Sequence, residues 1–492
     1  MIRSVSLTAC AAVLVAAQAA HAELSARDVW DQWRDLSREV GQTLVAGSEE
    51  TAEGRLILND VAVTIDMPDG RATGTLPRLA LAEQADGTVR ATLSDSYALR
   101  FDMTGQDGTP FGMVLRSDAP GLVIIASGAP GAVDYTYSAP EIALRMEQVT
   151  VDGQPMPTTA GLRLTRPTGS YRTGASGAAI ASTMAADALS AEIDAQSPEA
   201  EGRVSVTATY SDIATETAGP LTGLAALADP AALLARGVPM RSSLVHGGGA
   251  LRLAYTGPEG DLSLSSTSES GAAELTLADG AMAYSGGATG MSVAAAATQS
   301  PLPQVTLDLT QAQVSARLPV AEGADPAPFS LSAELTGLTL DDAVWQALDP
   351  AGQLPRDPAD LALALSGTAS LPAATRTGAG AAPELQTLAV DRLRLSVLGA
   401  ELTGTGNFVF DGAGAALLPG LPAAQGQAQL RLRGAAALLE RLVQIGAIGP
   451  DQAIGANLIL GMFARPAGED VLDSDVVLAP DGSITANGQR LR

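Results

Sequence analysis

Arg55-Leu56-Ile57-Leu58-Asn59, followed directly by Val61-Ala62-Val63-Thr64-Ile65-Asp66, is the stretch that decides the fold. Read with period two, it places successive side chains on opposite faces of a β-strand and not along one stripe of a helix. Asp69-Gly70 follows as a hairpin turn. The same signal returns at Leu76 to Leu81, Val89 to Leu93 and Tyr97 to Met103. It extends through Val204 to Tyr210, Leu251 to Tyr255, Asp261 to Leu264, Glu274 to Leu277, Val305 to Leu309 and Leu393 to Val397. Asp-Gly recurs at Asp86, Asp107, Asp152, Asp279, Asp411 and Asp481, where glycine readily takes the positive φ of a tight turn. Half-apolar strands joined by short turns predict antiparallel meanders and not βαβ units.

Helices punctuate this pattern. Ser25 caps an N-terminal amphipathic helix, with Asp28 three residues on as a weaker capping box. Val29, Trp33, Leu36 and Val40 recur at helical spacing, and Gly41 suits the stop. Two of the three tryptophans, Trp30 and Trp33, lie here, and the simplest reading is a helix that plugs one end of a β core. A weak repeat of strand, short helix and Pro-marked stop follows. Its copies are Val204 to Tyr210 with Leu221 to Pro230, Phe329 to Leu335 with Leu340 to Pro350, and Gln429 to Arg433 with Ala435 to Pro450. Helices at this interval are expected to cover part of the apolar sheet face. Near the end, Leu438, Leu442 and Ile445 share a helix face, and Gly446 and Gly449 interrupt it. Pro450 then opens a second helix with the stripe Ile454, Leu458 and Met462, making a helical hairpin. A β-hairpin through Asp481-Gly482 closes the chain. Thr168 to Ala178, Ala321 to Pro328, Ala373 to Pro383 and Ala413 to Gln427 lack periodicity and are expected to be irregular.

Composition narrows the chemistry. The chain has 492 residues and a formal charge of −25. Every one of its 29 basic residues is arginine. So acidic a chain disfavours nucleic acid and anionic headgroups as partners, leaving apolar surface for any lipid contact. Arg3, an apolar run from Val5 to Ala17 and the small-x-small site Ala20-His21-Ala22 read as a cleavable export signal. Cys10 loosely suggests lipoprotein processing, but the apolar run continues past it. The expected mature protein is periplasmic, without disulfides and without a transmembrane anchor after cleavage.

Beyond residue 22 there is no cysteine, no lysine and a single histidine, His246. Most enzyme sites draw on those side chains. His246-Gly247-Gly248-Gly249 resembles a lipase oxyanion motif, but no Gly-x-Ser-x-Gly elbow accompanies it, so a Gly-rich turn is expected. A P-loop would need the missing lysine. Asp341-Asp342 and Asp473-x-Asp475 offer oxygens to a cation, yet no ligand loop surrounds them. No catalytic, cofactor-binding or metal residue is assigned, and no cofactor is expected.

Leu439-Glu440-Arg441-Leu442-Val443, Gly449-Pro450-Asp451-Gln452-Ala453, Leu460-Gly461-Met462-Phe463-Ala464 and Ala486-Asn487-Gly488-Gln489-Arg490 together resemble an uncharacterised exported alphaproteobacterial family, domain of unknown function 2125. Asp28-Val29-Trp30-x-x-Trp33 also looks like that family. More remotely the plan is similar to AsmA-like envelope proteins, whose long β grooves are implicated in lipid handling. The expected fold is mainly β with a few short helices (α+β): elongated, curved antiparallel meander sheets in weak repeats, with helices capping the sheet faces. The expected divisions are a signal peptide at 1–22, the amphipathic helix at 23–41 and β modules at 42–200, 201–370 and 371–492. The expected function is a non-enzymatic envelope protein whose apolar groove holds lipid or an unfolded outer-membrane client. A structural β protein acting through protein partners is the alternative, and a carboxylate-based hydrolase a distant third.

Overall fold

The computed structural model describes residues 23–491 except 68, 106, 174–178, 197–201, 221–238, 301, 303, 321–322, 372–383 and 411–423. The expected export signal, the first repeat's helix and the Asp411 turn lie outside the described residues.

Among the described residues, 30 strands pair into one sheet, every pairing antiparallel and most between neighbours in sequence. The ladder runs through both module boundaries expected from the sequence. Ala179–Gln196 pairs with Arg203–Pro220, and Ala359–Leu371 pairs with Glu384–Val397. The longest strands have 18 residues, about 60 Å at ~3.3 Å per residue.

The sheet forks twice. Gly70–Glu83 pairs with Val89–Leu93 over one half and Ser96–Thr104 over the other. The two arms continue separately and rejoin on Ala179–Gln196. Arg203–Pro220 then splits onto Met240–His246 and Gly249–Thr256, and those arms rejoin on Ala281–Ala297.

A line of irregular residues crosses the strands, near the middle of Arg55–Met67, Arg203–Pro220 and Ala281–Ala297 and toward the end of Gly323–Leu340. Asp60 takes φ 51° opposite Pro77, and Asp212 takes φ 51° opposite Asp187. Gly290 at φ 55° and Gly337 at φ 73° continue the line. At each point the apolar face changes from alternate residues of one parity to the other. In Arg55–Met67 it passes from Leu56 and Leu58 to Val61, and in Gly70–Glu83 from Leu76 to Leu79. An unpaired residue of this kind bends its strand, and stacking such residues on successive strands makes a crease along the sheet.

Turn chemistry follows the sequence in most places. Asp152-Gly153 and Asp279-Gly280 are two-residue hairpin turns with positive φ at both positions. At Asp86-Gly87-Thr88 the carboxylate accepts from the Thr88 amide at 3.1 Å, and Asp107 and Asp481 repeat this bond to Thr109 and Ser483. The expected hairpin at Asp69-Gly70 is present, with Gly70 paired to Met67, but Gly70 serves it in a different way. Its φ is not positive; instead, a Cβ there would lie 2.3 Å from the Asp102 carbonyl oxygen of the neighbouring strand.

Helix α1 (Ala26–Glu39) covers the first end of the apolar face. Its capping box is complete. The Ser25 hydroxyl accepts from the Asp28 amide at 3.1 Å, and the Asp28 carboxylate accepts from the Ser25 amide at 3.0 Å. Val29 and Trp30 are sealed against Leu56, Leu58, Leu79, Leu81, Val89 and Tyr135. Gln32 ties the helix down, accepting from the Tyr135 hydroxyl at 2.9 Å and donating to Thr173 at 3.0 Å. Tyr135 stacks on Tyr171 with ring centres 4.4 Å apart, and burial pushes both phenols above the usual tyrosine range. This is the plug expected from the sequence.

Among the described residues, three further helices are short. α2 (Asp342–Leu348) starts from Asp341, not from Leu340, which ends the preceding strand. Val344 and Trp345 of α2 are buried. α3 (Ala435–Gln444) and α4 (Pro450–Phe463) form the expected hairpin, with Pro450 in the first turn of α4. Some expected irregular segments are strands. Thr168–Thr173 pairs on both sides, and Gly323–Pro328 and Gln425–Gln427 belong to strands.

Candidate functional site

Cross-strand partners share a sheet face. Following the register from strand to strand therefore shows what each face carries. Leu335, Leu361, Leu395, Leu402, Leu432 and Leu472 are successive partners across six strands, an unbroken ladder of leucine. Beside it run Ala333, Leu363, Leu393, Gly404, Leu430 and Ser474. The next ladder is Leu331, Leu365, Val390, Gly406, Ala428 and Val476. None of the three contains an acid or an arginine. Upstream, Ile193, Val206, Leu253, Leu264 and Ala295 continue the same character.

This face is not sealed. Leu331 and Leu395 are each 38% exposed, Leu262 44% and Val314 45%. Among the described residues, sealing against one contiguous core is found at the α1 end, where Leu58, Leu81 and Val89 have no exposed surface. Two glycines thin the ladders. A Cβ at Gly404 would lie 2.5 Å from Leu430 Cδ2, so glycine is the residue that lets Leu430 lie across the strand.

The opposite face is built from ion pairs. Arg394 bonds Glu401 at 3.0 Å, Arg431 bonds Asp473 at 2.7 Å and Arg465 bonds Asp475 at 2.9 Å. Arg203–Asp194 at 2.6 Å and Arg241–Glu274 at 3.0 Å lie upstream. The Arg431 guanidinium holds the Asp473 carboxyl below the usual range. A 570 Å³ hollow on this face is lined by Asp134, Arg172, Glu216 and Arg241 among hydroxyl side chains. Arg172 pairs with Asp134 and Arg241 with Glu274, so its cations are already engaged.

The residues singled out for chemistry have structural duties here. His246 ends a strand, and Gly247-Gly248 turns into the next. The His246 ring meets Tyr210 edge-on at 4.8 Å, and its Nδ1 lies 2.7 Å from the Gly247 carbonyl oxygen. Asp341 caps α2, accepting from Val344 at 2.9 Å and from the Thr306 amide at 2.9 Å. Those backbone bonds hold its carboxyl below the usual range. Asp342 pairs with Arg356 at 3.3 Å. Asp473 and Asp475 are engaged by arginine as described.

The α3–α4 hairpin departs from expectation. The stripe Ile454, Leu458 and Met462 does not face a core. Those residues are 66%, 68% and 49% exposed, and no residue of α4 is buried. Among the described residues no helix is long and apolar enough to cross a membrane.

No curated protein and no solved structure gives a significant match to the chain. One bacterial family does match, over residues 203–488, a range that starts with the strand Arg203–Pro220 and leaves the α1 residues outside it. That range is more than half of the chain and holds all three uncharged ladders. The chain therefore belongs to the family described as an uncharacterized protein conserved in bacteria, DUF2125.

Proposed function

We propose that the chain is a non-enzymatic envelope protein, exported to the periplasm, whose uncharged sheet face holds lipid acyl chains. One observation carries this reading: three adjacent cross-strand ladders with no charged member, on strands whose reverse side is laced with ion pairs. Leucine left 38% exposed in such a ladder retains apolar surface that an acyl chain would remove from water, at roughly 25 cal/mol per Å² buried. The crease supplies the bend that would turn this face into a groove. Likeness to AsmA-like envelope proteins and an alphaproteobacterial origin belong to the same proposal.

The test is to purify the protein under mild conditions, extract it with organic solvent and identify bound lipid by mass spectrometry. Displacement of a fluorescent fatty acid gives the second readout. Bound lipid together with displacement that is lost in Leu363→Arg supports the reading. A protein that carries no lipid and fails to bind the fluorescent fatty acid overturns it in favour of a scaffold acting through protein partners.

A further inference from the structure

Helix α4 is the most exposed apolar element of the described chain. From Gln452 to Ala464 it carries no charge. Its apolar residues are not gathered on one side: Ile454, Leu458 and Ile459 are 66%, 68% and 58% exposed, and Phe463 41%. A helix that docks on a protein groove needs one apolar stripe, whereas a helix apolar all round suits immersion in an apolar medium. Its 14 residues span about 21 Å, too short for a bilayer core of ~30 Å but enough to enter one leaflet.

Its position ties it to the candidate face. The Phe463 carbonyl, at the end of α4, accepts from the Ser474 hydroxyl at 2.5 Å and from Asn487 Nδ2 at 3.0 Å. Ser474 is the last member of the ladder that contains Leu363, Leu393 and Leu430. The apolar face is thus closed by α1 at its first end and continuous with an exposed apolar helix at its last. Charge selects among membrane surfaces. A chain of formal charge −25 is repelled by anionic headgroups, and α4, whose one charged residue is Asp451 in its first turn, offers no cation to an anionic headgroup.

We propose that α4 buries in the outer hydrocarbon of an uncharged, zwitterionic bilayer, so that this end of the sheet face opens against the membrane. The proposal rests on the lipid-holding reading above and names the surface from which lipid would enter. The chain has no cysteine beyond residue 22, so Leu458→Cys can carry an environment-sensitive fluorophore without background. The expected result is a blue-shifted, brighter emission on adding phosphatidylcholine vesicles, a weaker response with phosphatidylglycerol vesicles, and none from a label at Val477→Cys on the ion-paired face. Ile454→Asp should weaken vesicle binding about tenfold or more, the share of a buried Ile side chain, while circular dichroism stays unchanged. Unchanged emission with vesicles overturns the proposal. So does a blue shift that grows with protein concentration in the absence of vesicles, because α4 then packs against a second copy. If Ile454→Asp loses vesicle binding but still takes up a fatty acid supplied in solution, both readings hold. If the wild-type protein binds vesicles through α4 but takes up no fatty acid, the lipid-holding reading fails alone.

Discussion

Replacing leucine by alanine at two places on one sheet face measures whether that face is open. Leu58 has no exposed surface and lies beneath α1, whereas Leu331 is 38% exposed within an uncharged ladder. Burying a leucine contributes roughly 1.5–3 kcal/mol, and at a sealed site the leftover cavity raises the cost of Leu→Ala to about 2.7–5 kcal/mol. Leu58→Ala should fall in that range. At Leu331 about three-fifths of the side chain is covered, and an open site leaves no cavity. Leu331→Ala should therefore cost about 1–1.5 kcal/mol. Urea melts followed by circular dichroism give both values. Fluorescence of Trp30 and Trp33, which border Leu58, reports the first independently. A charged side chain sharpens the contrast: Leu331→Arg should fold, its stem lying on the sheet with the head in water. Equal costs for the two alanine variants, or a Leu331→Arg protein that cannot fold, would refute the reasoning, because the ladder would then be a filled core.

Ser25→Ala removes one half of the α1 capping box and should cost about 1 kcal/mol, seen as a lower midpoint for tryptophan fluorescence. Tyr135→Phe deletes the hydroxyl that donates to Gln32 and should cost roughly 0.5–1.5 kcal/mol in the same melt. The Tyr135 and Tyr171 phenols titrate above the usual range, so their contribution is complete below pH ~10 and lost as pH rises through the folded values. Ultraviolet titration should show Tyr135 and Tyr171 ionising late and together with unfolding, with Tyr137, which burial also pushes up, ionising above the ordinary range as well. A fully reversible titration with all tyrosines ionising near pH 10 contradicts that. The carboxyls of Glu49, Asp341 and Asp473 are held low by Arg27, by the Val344 amide and by Arg431 respectively. Their stabilisation is present above the unfolded pKa near ~4 and is lost as pH falls below it. Resistance to urea should decline from pH 5 to pH 3, and a flat profile there would count against these pairings.

Local rules were readable along the chain and long-range alignment was not. The Ser25–Asp28 box, the Pro450 helix start and the Asp-Gly turns depend on residues within four positions of one another, so sequence spacing specifies them. Period two was visible in Val204 to Tyr210 because that half of its strand pairs within one arm. It fails across Asp60 and Asp212, where the apolar parity switches and no spacing announces the bend. The leucine ladder was hidden for a different reason. Leu335 and Leu472 are far apart in sequence, and only the register of four intervening strands sets them in one row. Thr168–Thr173 reads as irregular because Gly169 and the polar residues around it lack an apolar repeat. Pairing on both edges supplies the strand instead. For α4 the stripe Ile454, Leu458 and Met462 was legible, but the stripe alone cannot say whether a core stands opposite it. Here none does.

The edges of the sheet separate the lipid reading from capture of an unfolded chain. An unfolded outer-membrane client would bind most simply by adding a strand to a free edge, with main-chain hydrogen bonds supplying affinity. Among the described residues the first edge consists of Gln42–Val45 and Ser48–Ala52, and Glu49 and Glu50 lie on the second of these. At the other end the final pairing is Ile484–Ala486 with Gln489–Arg490, a strand of two residues. Short and charged edges discourage strand addition. The crossing direction is different: the leucine ladder runs perpendicular to the strands and offers no hydrogen-bonding groups, because every strand it crosses is already paired on both sides. A ligand lying along it must be one that asks for none. An acyl chain meets that condition and a polypeptide does not, since burying an unpaired peptide group against aliphatic surface costs about 1–3 kcal/mol. A peptide of alternating apolar residues should therefore fail to displace a fluorescent fatty acid from the protein. Displacement by such a peptide at concentrations similar to oleate would reverse the preference and make the face a client-binding surface.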